Sequence, residues 1–337
     1  MNSLLFPTAL AGLVFAFSGH GQLRAQTIAE RAPKQKELAE KLVPMKVEVH
    51  FDQFYAGNEN PKQAVDLYLP TKRKSNRPLP VVVFIHGGGW TNGDRLGASA
   101  GVTQMARTGD YAGVSVGYRM SSEAIWPAQI HDVKAAIRWI RGNAKKFGLD
   151  PDRIGVWGSS AGGHLVSLLG TTGDVKALEG DLGSFTGMSS RVTCVVNICG
   201  PQDMTKPLMR AADGTPVADD PAVSPLLGGP VTQKLDLAKA ASPLTYVTPD
   251  DAPFLTAHGT KDARVDFRNA EWIDAALKKA GVPSLLVPVE NGGHGFHNAE
   301  LDARIRAFFG MHLRGVSADI PATPVPDQTP RPSPQPK

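Results

Sequence analysis

Six short, mainly apolar runs restrict the folds open to this chain more than any other feature. Such runs are typical of strands buried on both faces, and helix-patterned segments between them indicate parallel crossovers. Two earlier runs, 46–51 and 64–69, alternate only partly and predict antiparallel strands. The sequence therefore predicts an α/β fold with a mostly parallel, doubly wound sheet and helices on both faces. The six runs are 80–85, 111–117, 153–158, 192–198, 253–257 and 284–289, and the predicted helices are 127–147, 164–169, 267–280 and 299–312.

The size and composition of the chain fit one large globular domain with tails. Of its 337 residues, 42% are hydrophobic and 20% charged, which allows a sizeable core without metal ions or disulfides. We expect the main domain at 45–315, an irregular insertion at about 201–249 over the active face, and a disordered, proline-rich tail at 316–337. The net charge of +4 is small, and the basic run at 72–77 lies between two predicted strands as a solvated turn. No nucleic acid partner is expected.

The first 25 residues are expected to be an export signal. Residues 4–17 are apolar but too few to cross a bilayer as a helix, and small residues precede a plausible cleavage point after Ala25. No Lys or Arg precedes the apolar stretch, so an uncleaved membrane anchor is the alternative. Either form implies export, and after cleavage we expect a periplasmic or secreted protein without stable membrane association. Residues 26–44 are predicted to be a connector, charged and helix-prone from Ala29 to Leu42.

Both cysteines, Cys194 and Cys199, lie in one apolar run that predicts a buried strand. At this spacing on an extended strand they would be about 16 Å apart, which is too far for a disulfide. We therefore expect two buried free thiols.

A glycine-flanked serine stands between a predicted strand and a predicted helix. Residues 158–162, G-S-S-A-G, match the pattern G-x-S-x-G, in which a sharp turn raises the serine hydroxyl above the sheet. Side chains at Gly158 and Gly162 would collide with neighbouring backbone, and the following helix N-terminus favours negative charge. A Gly- and Ser-rich turn without function is the alternative. The strand–turn–helix context favours Ser160 as a nucleophile.

A second glycine-rich segment, H-G-G-G-W at 86–90, directly follows the run at 80–85. In this pattern backbone N–H groups face the oxyanion formed during acyl transfer, because glycine lets the backbone approach the substrate closely. We predict that the donors are Gly88 and Gly89, together with Ala161. His86 is expected to hydrogen-bond within its own loop, since the base should come late in the chain.

The order Ser, acid, His along the chain predicts the remaining two catalytic groups. Asp262 follows the run at 253–257 and is preferred over Asp266, which stands where a helix N-cap is expected. His294 lies in a glycine-rich turn after the run at 284–289, whereas His297 lies outside that turn. The sequence therefore predicts a Ser160–His294–Asp262 triad.

In such a triad His294 takes the proton of Ser160 during attack on a carbonyl, while Asp262 orients the imidazole and stabilises its charged form. An acyl-enzyme forms and is then hydrolysed by water. This chemistry needs neither a metal ion nor an organic cofactor, and no metal-binding or phosphate-binding motif competes with it.

The segments H-G-G-G-W and G-x-S-A-G-G, with D-L-Y-L-P at 66–70 and G-G-H-G-F at 292–296, resemble those of α/β-hydrolase esterases and lipases. The sequence looks most like exported bacterial acetylxylan and feruloyl esterases, over about residues 45–313. The resemblance implies the α/β-hydrolase fold and a serine carboxylic ester hydrolase acting on small esters or on acyl esters of plant polysaccharides. An amide-cleaving relative (arylformamidase or peptidase) and a noncatalytic binding protein are the alternatives. The intact triad argues against the binding protein, and export argues against the formamidase.

Four further residues are weak candidates for the substrate pocket, because they lie just after predicted strands or in the insertion. Core packing or loop anchoring is the alternative for each. They are Trp90, Tyr118, Trp126 and Asp203.

Overall fold

The computed structural model describes residues 19–97, 99–209, 215–217 and 220–329. The apolar stretch of the expected export signal, 4–17, lies outside these residues. Within the described ranges, no helix has both the length and the apolar character needed to cross a membrane.

A nine-stranded sheet runs through the described part of the chain, in the order β1-β2-β4-β3-β5-β6-β7-β8-β9. The pairs β1–β2 and β2–β4 are antiparallel and all the others are parallel. The predicted mostly parallel α/β architecture is therefore confirmed. The strands are β1 (Val47–Phe54), β2 (Ala64–Pro70), β3 (Leu79–Ile85), β4 (Ala112–Val116), β5 (Leu149–Ser159), β6 (Cys194–Ile198), β7 (Phe254–Gly259), β8 (Ser284–Glu290) and β9 (Val325–Pro326).

Helices cover both faces of the sheet. In β3, Val81 and Val83 pack into a core with α3, α5 and α8, while Val82 packs on the opposite face with α1, α2 and α9. Alternate side chains of one apolar strand thus enter two different cores, as a doubly wound sheet requires. The helices are α1 (Gly19–Leu42), α2 (Ala100–Arg107), α3 (Ala128–Gly142), α4 (Ala144–Phe147), α5 (Ala161–Thr171), α6 (Val223–Leu227), α7 (Leu235–Ala240), α8 (Arg268–Lys279) and α9 (Ala299–Arg314).

The long helix predicted over 127–147 is divided in two at Asn143. This residue leaves the helical region at φ −97° and ψ 6°, and its side-chain amide donates to the carbonyl of Trp139 at 2.9 Å. A polar side chain that bonds to nearby backbone competes with the helical hydrogen bonds. The apolar stripe continues across the break, so periodicity alone did not show it.

Residues 316–329, which we predicted as part of a disordered tail, contact the domain in the structure. Strand β9 pairs in parallel with the end of β8, and Val325 is fully buried. The guanidinium of Arg304 donates to the carbonyls of Pro321 at 2.9 Å and Thr323 at 2.6 Å. Proline lacks an N–H but keeps its carbonyl, so a proline-rich segment can be held as an acceptor of hydrogen bonds. Residues 330–337 lie outside the described part of the chain.

The irregular insertion lies along the edge of the sheet where the parallel strands end. The carbonyl of Leu226 accepts from the N–H of Trp126 at 2.8 Å, and that of Leu208 accepts from the N–H of Asp266 at 2.9 Å. These contacts join the insertion to the loops that follow β4 and β7. The carboxyl ends of parallel strands are where α/β folds bind their ligands.

Strand β6 carries Cys194, and Cys199 follows its last residue. Both thiols are buried and free, as predicted.

Candidate active site

Ser160 occupies a strained turn between β5 and α5. Its backbone angles, φ 58° and ψ −121°, are unusual for a residue with a side chain. The N–H of Ser160 donates to the carbonyl of Ile198 at 2.8 Å, and its carbonyl accepts from the N–H of His164 at 2.9 Å. The second of these bonds is the first hydrogen bond of helix α5. Ser160 is therefore fixed at the top of the sheet by a neighbouring strand and by its own helix.

The two glycines that flank the turn are required by steric contact. A Cβ added to Gly162 would lie 2.0 Å from the carbonyl oxygen of Ile85, and one added to Gly158 would lie 2.3 Å from that of Gly162. Both distances are far below van der Waals contact, and the clashing atoms belong to backbone. The turn can pack against β3 only because these positions lack side chains.

The three residues predicted as the triad lie in hydrogen-bond contact. His294 Nε2 lies 2.8 Å from the Ser160 hydroxyl oxygen, and His294 Nδ1 lies 2.8 Å from Oδ2 of Asp262. Because a carboxylate only accepts, Nδ1 carries the proton and Nε2 is left to accept from the serine. The Asp262 side chain is fully buried, whereas that of His294 is 27% exposed. The histidine thus joins a buried anion to a reachable hydroxyl.

Asp262 is held by more groups than His294 alone. Its Oδ1 accepts from the N–H groups of Arg264 at 2.8 Å and Val265 at 3.0 Å, and its Oδ2 lies 3.1 Å from Nε2 of His258. Burial alone would raise the pKa of this carboxyl, but hydrogen bonds from His258, His294 and Val265 hold the pKa well below its usual range. Asp262 is a carboxylate at every pH at which such a site would work.

His258 is not among the site residues that the sequence predicts. This residue lies at the end of β7, four positions before Asp262 in the segment H-G-T-K-D, so both side chains belong to one edge of the sheet. That spacing was the available signal. The same spacing also fits a histidine that only completes the apolar strand, so it does not by itself indicate a site residue.

The three expected oxyanion donors, Gly88, Gly89 and Ala161, have N–H groups that no backbone carbonyl of the described residues uses. Gly88 and Gly89 have positive φ values of 114° and 59°, and the Gly88 carbonyl is turned away to accept from the N–H groups of Thr91 and Asn92. Free N–H groups beside a nucleophile are what an oxyanion hole requires.

His86 is fixed within the glycine-rich loop. Its Nδ1 lies 2.8 Å from the carbonyl of Gly87, and its ring stacks on Tyr118 with centroids 4.4 Å apart. Burial lowers the pKa of His86 from 6.5 to about 4, so the ring is neutral near pH 7. These contacts agree with the expected loop-fixing role.

The alternatives to the predicted acid and base, Asp266 and His297, lie outside the triad. Asp266 forms an ion pair with Arg268 at 2.8 Å at the start of α8. His297 is exposed, and its backbone bonds to the C-terminal tail through Gln328.

The aromatic pocket candidates are packed inside the protein. Trp90, Tyr118 and Trp126 are almost fully buried. The Tyr118 hydroxyl donates to the carbonyl of His86 at 3.0 Å, and Trp90 and Trp126 both contact the ring of His164. These contacts agree with the packing alternative for all three.

The fourth pocket candidate, Asp203, is half-buried in the insertion. Its Oδ1 accepts from the N–H and the hydroxyl of Thr205, at 3.0 and 2.5 Å. These bonds form a local turn, so the loop-anchoring alternative describes Asp203 as well.

One cluster in the described residues has the spacing of a metal site. Ligand atoms of Cys199, His258 and Asp262 lie within 4.8 Å of one another. Burial and the Asp262 charge raise the pKa of the Cys199 thiol well above its usual range, and Nε2 of His258 lies between two oxygen acceptors. A protonated thiol and a protonated imidazole nitrogen are poor ligands, so this cluster fits hydrogen bonding to the carboxylate better than a cation.

Two surface cavities lie away from the serine. One of about 290 Å³ lies between α2 and α9, and one of about 130 Å³ lies within the insertion. Neither is lined by a triad residue.

The sheet order, the strained serine turn and the sequence Ser, Asp, His along the chain define an α/β-hydrolase. The BD-FAE family profile matches residues 65–277, which is more than half of the chain. The chain belongs to the BD-FAE family.

Among curated relatives, Esterase LipC of Mycobacterium tuberculosis is 31% identical over 245 residues, covering 71% of this chain and 58% of that protein. Esterase LipQ of the same organism is 32% identical over 254 residues, covering 74% of this chain and 57% of that protein. The chain thus spans less than two thirds of the length of these relatives.

Among solved structures, a truncated carbohydrate esterase from gut microbiota superposes with a TM-score of 0.72 and 30% identity, covering 79% of this chain and 96% of that one. A bifunctional GH43-CE protein of Bacteroides eggerthii has a TM-score of 0.72 and 35% identity, covering 78% of this chain and 38% of that one.

Proposed function

We propose that this chain is a carboxylic ester hydrolase that forms an acyl-enzyme on Ser160. The observation that carries the proposal is the unbroken line of hydrogen bonds from the Ser160 hydroxyl through His294 to buried Asp262, with 2.8 Å at each step. The line ends at a partly exposed hydroxyl on a strained turn, where an ester carbonyl can approach.

The chemistry follows from these three groups. The Ser160 oxygen attacks the ester carbonyl while its proton passes to Nε2 of His294, and Asp262 stabilises the resulting imidazolium. The tetrahedral intermediate collapses when the bond to the alcohol oxygen breaks and His294 returns the proton to that oxygen. Water, deprotonated by His294, then attacks the acyl-serine and releases the acid, restoring the Ser160 hydroxyl.

The negative oxygen of each tetrahedral intermediate needs donors that are already in place. The N–H groups of Gly88, Gly89 and Ala161 are unused by other carbonyls of the described residues, and Ala161 is the first residue of α5. Loss of one such donor typically costs about 3 kcal/mol of transition-state stabilisation. This arrangement supports acyl transfer, in which an oxyanion forms twice.

For the substrate we propose acetyl or feruloyl esters carried by plant polysaccharides or their fragments. The support is the likeness to proteins described as a carbohydrate esterase and a bifunctional GH43-CE protein. The insertion adds the geometric argument, because it borders the active edge through its contacts with Trp126 and Asp266. Loops at that edge are where a larger alcohol group would be recognised.

The test compares four substrates with one protein: p-nitrophenyl acetate, acetylated xylo-oligosaccharides, methyl ferulate and p-nitroacetanilide. We expect hydrolysis of p-nitrophenyl acetate and of acetylated xylo-oligosaccharides, methyl ferulate or both. The variant Ser160→Ala should lower kcat/KM by at least about 1,000-fold. Ser75→Ala is the matched control, because Ser75 is an exposed turn residue.

Each alternative has its own outcome. Ester hydrolysis that survives in Ser160→Ala contradicts the proposed nucleophile. Cleavage of the anilide without cleavage of any ester would assign the chain to the amide-cleaving class, and inertness toward all four would favour a binding role. The arms with acetylated xylo-oligosaccharides and with methyl ferulate distinguish acetyl from feruloyl substrates.

A further inference from the structure

Two imidazole rings approach the same carboxylate oxygen. Oδ2 of Asp262 lies 2.8 Å from Nδ1 of His294 and 3.1 Å from Nε2 of His258. The rings come from different elements, since His258 ends β7 whereas His294 lies in the loop after β8. The His258 side chain is fully buried, so it approaches Asp262 from inside the protein.

The surroundings of His258 fix the position of its proton. Nε2 also lies 2.9 Å from the carbonyl of Val265, so both of its neighbours are oxygen acceptors. Nδ1 is buried and has no hydrogen-bond partner among the described residues. Only a ring with the proton on Nε2 and a bare Nδ1 satisfies both observations, because a proton on Nδ1 would leave two acceptors facing an unprotonated nitrogen. The edge of the ring packs at 84° to Phe267, with centroids 5.7 Å apart.

The contacts of Asp262 indicate the role of the proton on Nε2 of His258. Oδ1 is held by two backbone N–H groups of the Asp262 loop, those of Arg264 and Val265. Oδ2 has no backbone donor among the described residues and is contacted by the two rings, while the Cys199 thiol, a weak donor, also hydrogen-bonds to the carboxylate. His258 is therefore the fixed side-chain donor that sets the direction of Oδ2 when His294 moves or changes charge.

We propose that His258 is a positioning residue of the triad: its Nε2–H holds Oδ2 of Asp262 in line with Nδ1 of His294 and shares the carboxylate's negative charge. It acts through Asp262 and contacts no reacting atom. The inference rests on the proposed function, because it assigns a role within the same relay.

The charged and titratable groups around Asp262 allow a signed expectation. His294 faces it from the loop after β8, His258 from the end of β7, and Cys199 from the end of β6. Burial raises the pKa of the Cys199 thiol, so this group stays neutral. When the His258 donor is lost, the charge of Asp262 is concentrated on His294. The protonated, inactive form of His294 is then stabilised, and the acid limb of the pH–rate profile moves to higher pH.

The test uses two variants of similar length and volume, His258→Met and His258→Gln, of which only the glutamine keeps an N–H donor. In His258→Met we expect kcat for p-nitrophenyl acetate to fall about 10- to 100-fold, as for a lost hydrogen bond to a charged group. KM should stay within about twofold, because nothing that touches the substrate has changed. The acid limb of kcat/KM should move up by about half a pH unit. His258→Gln should recover most of kcat and return the acid limb toward its wild-type position.

A second measurement needs no folded variant. Long-range ¹⁵N–¹H NMR of the wild-type protein reports which nitrogen of His258 carries the proton, and we expect Nε2. A proton on Nδ1 overturns the proposal. So does a methionine variant with the kcat of the glutamine variant, or a loss of kcat with an unmoved acid limb. If Ser160→Ala still hydrolyses esters, the proposed function itself fails, whereas an inactive Ser160→Ala with equal His258 variants removes only the positioning role.

Discussion

The backbone N–H of Ser160 donates to the carbonyl of Ile198 at 2.8 Å, so the serine is tied to the end of β6 as well as to its own turn. Backbone strain of the kind seen at Ser160 costs on the order of 1–3 kcal/mol and persists only where the surroundings over-determine it. The bond to Ile198 and the close packing of Gly158 and Gly162 are those surroundings. The Ser160 hydroxyl is therefore positioned by its bond to the end of β6 and by the packing of its flanking glycines.

Replacing Gly162 by alanine should lower esterase activity, because the added Cβ would displace the backbone of the serine turn. The added Cβ would lie 2.0 Å from the carbonyl oxygen of Ile85 and 2.7 Å from that of His86, so β3 and α5 must separate. We expect kcat/KM for p-nitrophenyl acetate to fall at least about 100-fold, as for a displacement of about 1 Å in a catalytic group. Gly187→Ala is the control, because no atom lies within 4 Å of the added carbon there. Wild-type activity in Gly162→Ala would contradict the packing argument.

Asp262→Asn and Asp266→Asn should affect kcat differently if Asp262 is the acid of the triad. The amide would present an N–H group to the donors that now surround the carboxylate, and His294 would lose the partner that fixes its tautomer. A change of this kind lowers kcat by about 10,000-fold in a serine protease. Asp266→Asn, which affects an ion pair with Arg268 at the surface, should retain kcat within about threefold. Steady-state kinetics of both variants decide the assignment, and equal losses would contradict it.

The stability of the protein should fall as the pH drops below neutral, partly because of His164. Burial lowers the pKa of this histidine from 6.5 to about 4, against a raising effect of its bond to the Ala241 carbonyl. The unfolded chain therefore binds a proton near pH 6.5 that the folded chain accepts only near pH 4. Between these values the unfolded state is favoured, by up to about 3 kcal/mol when the pH reaches the lower one.

His164→Phe removes this titration while keeping an aromatic ring between Trp90 and Trp126. At pH 7.5 we expect the variant to be less stable, because the Ala241 carbonyl loses its donor. Its free energy of unfolding in urea should then decrease less than that of the wild type between pH 7.5 and pH 4.5. Parallel pH dependences of the two proteins would show that His164 does not contribute.

Val325→Ala tests whether the tail is part of the folded domain. Val325 is fully buried and pairs with Val289 of β8, so loss of its methyl groups should lower the free energy of unfolding by about 2 kcal/mol. Val316→Ala is the matched control, because Val316 is 46% exposed, and it should change stability by less than about 0.5 kcal/mol. Both values come from urea unfolding at one pH. Equal effects would mean that β9 adds no stability.

The sheet was predictable because each central strand is buried on both faces, which leaves a plain apolar run such as 80–85. The contacts of the tail could not be predicted, because β9 is held by residues that are distant in the sequence. Arg304 on α9 and the edge of β8 supply the hydrogen bonds, and nothing local in a proline-rich segment indicates them. The break at Asn143 depends on one side chain that turns back to Trp139.

The site was predictable where glycines mark a turn, as around Ser160 and His294. Their local segments alone indicated a strand followed by a sharp turn. Asp262 needed the order of residues along the chain, and only the structure gave its full set of donors. His258 was not predicted from the sequence, because its contact with Asp262 depends on how the loop between them folds. Neither periodicity nor composition indicates that contact.

The backbone N–H of Gln328 donates to the carbonyl of His297 at 2.8 Å, three residues beyond His294. A module fused directly after Thr329, in place of the residues that follow it, would therefore begin at a segment tied to the loop between β8 and α9 that carries His294. For the proposed polysaccharide substrate we expect such a bulky fusion to lower the hydrolysis of acetylated xylan more than that of p-nitrophenyl acetate, since a small ester needs less space.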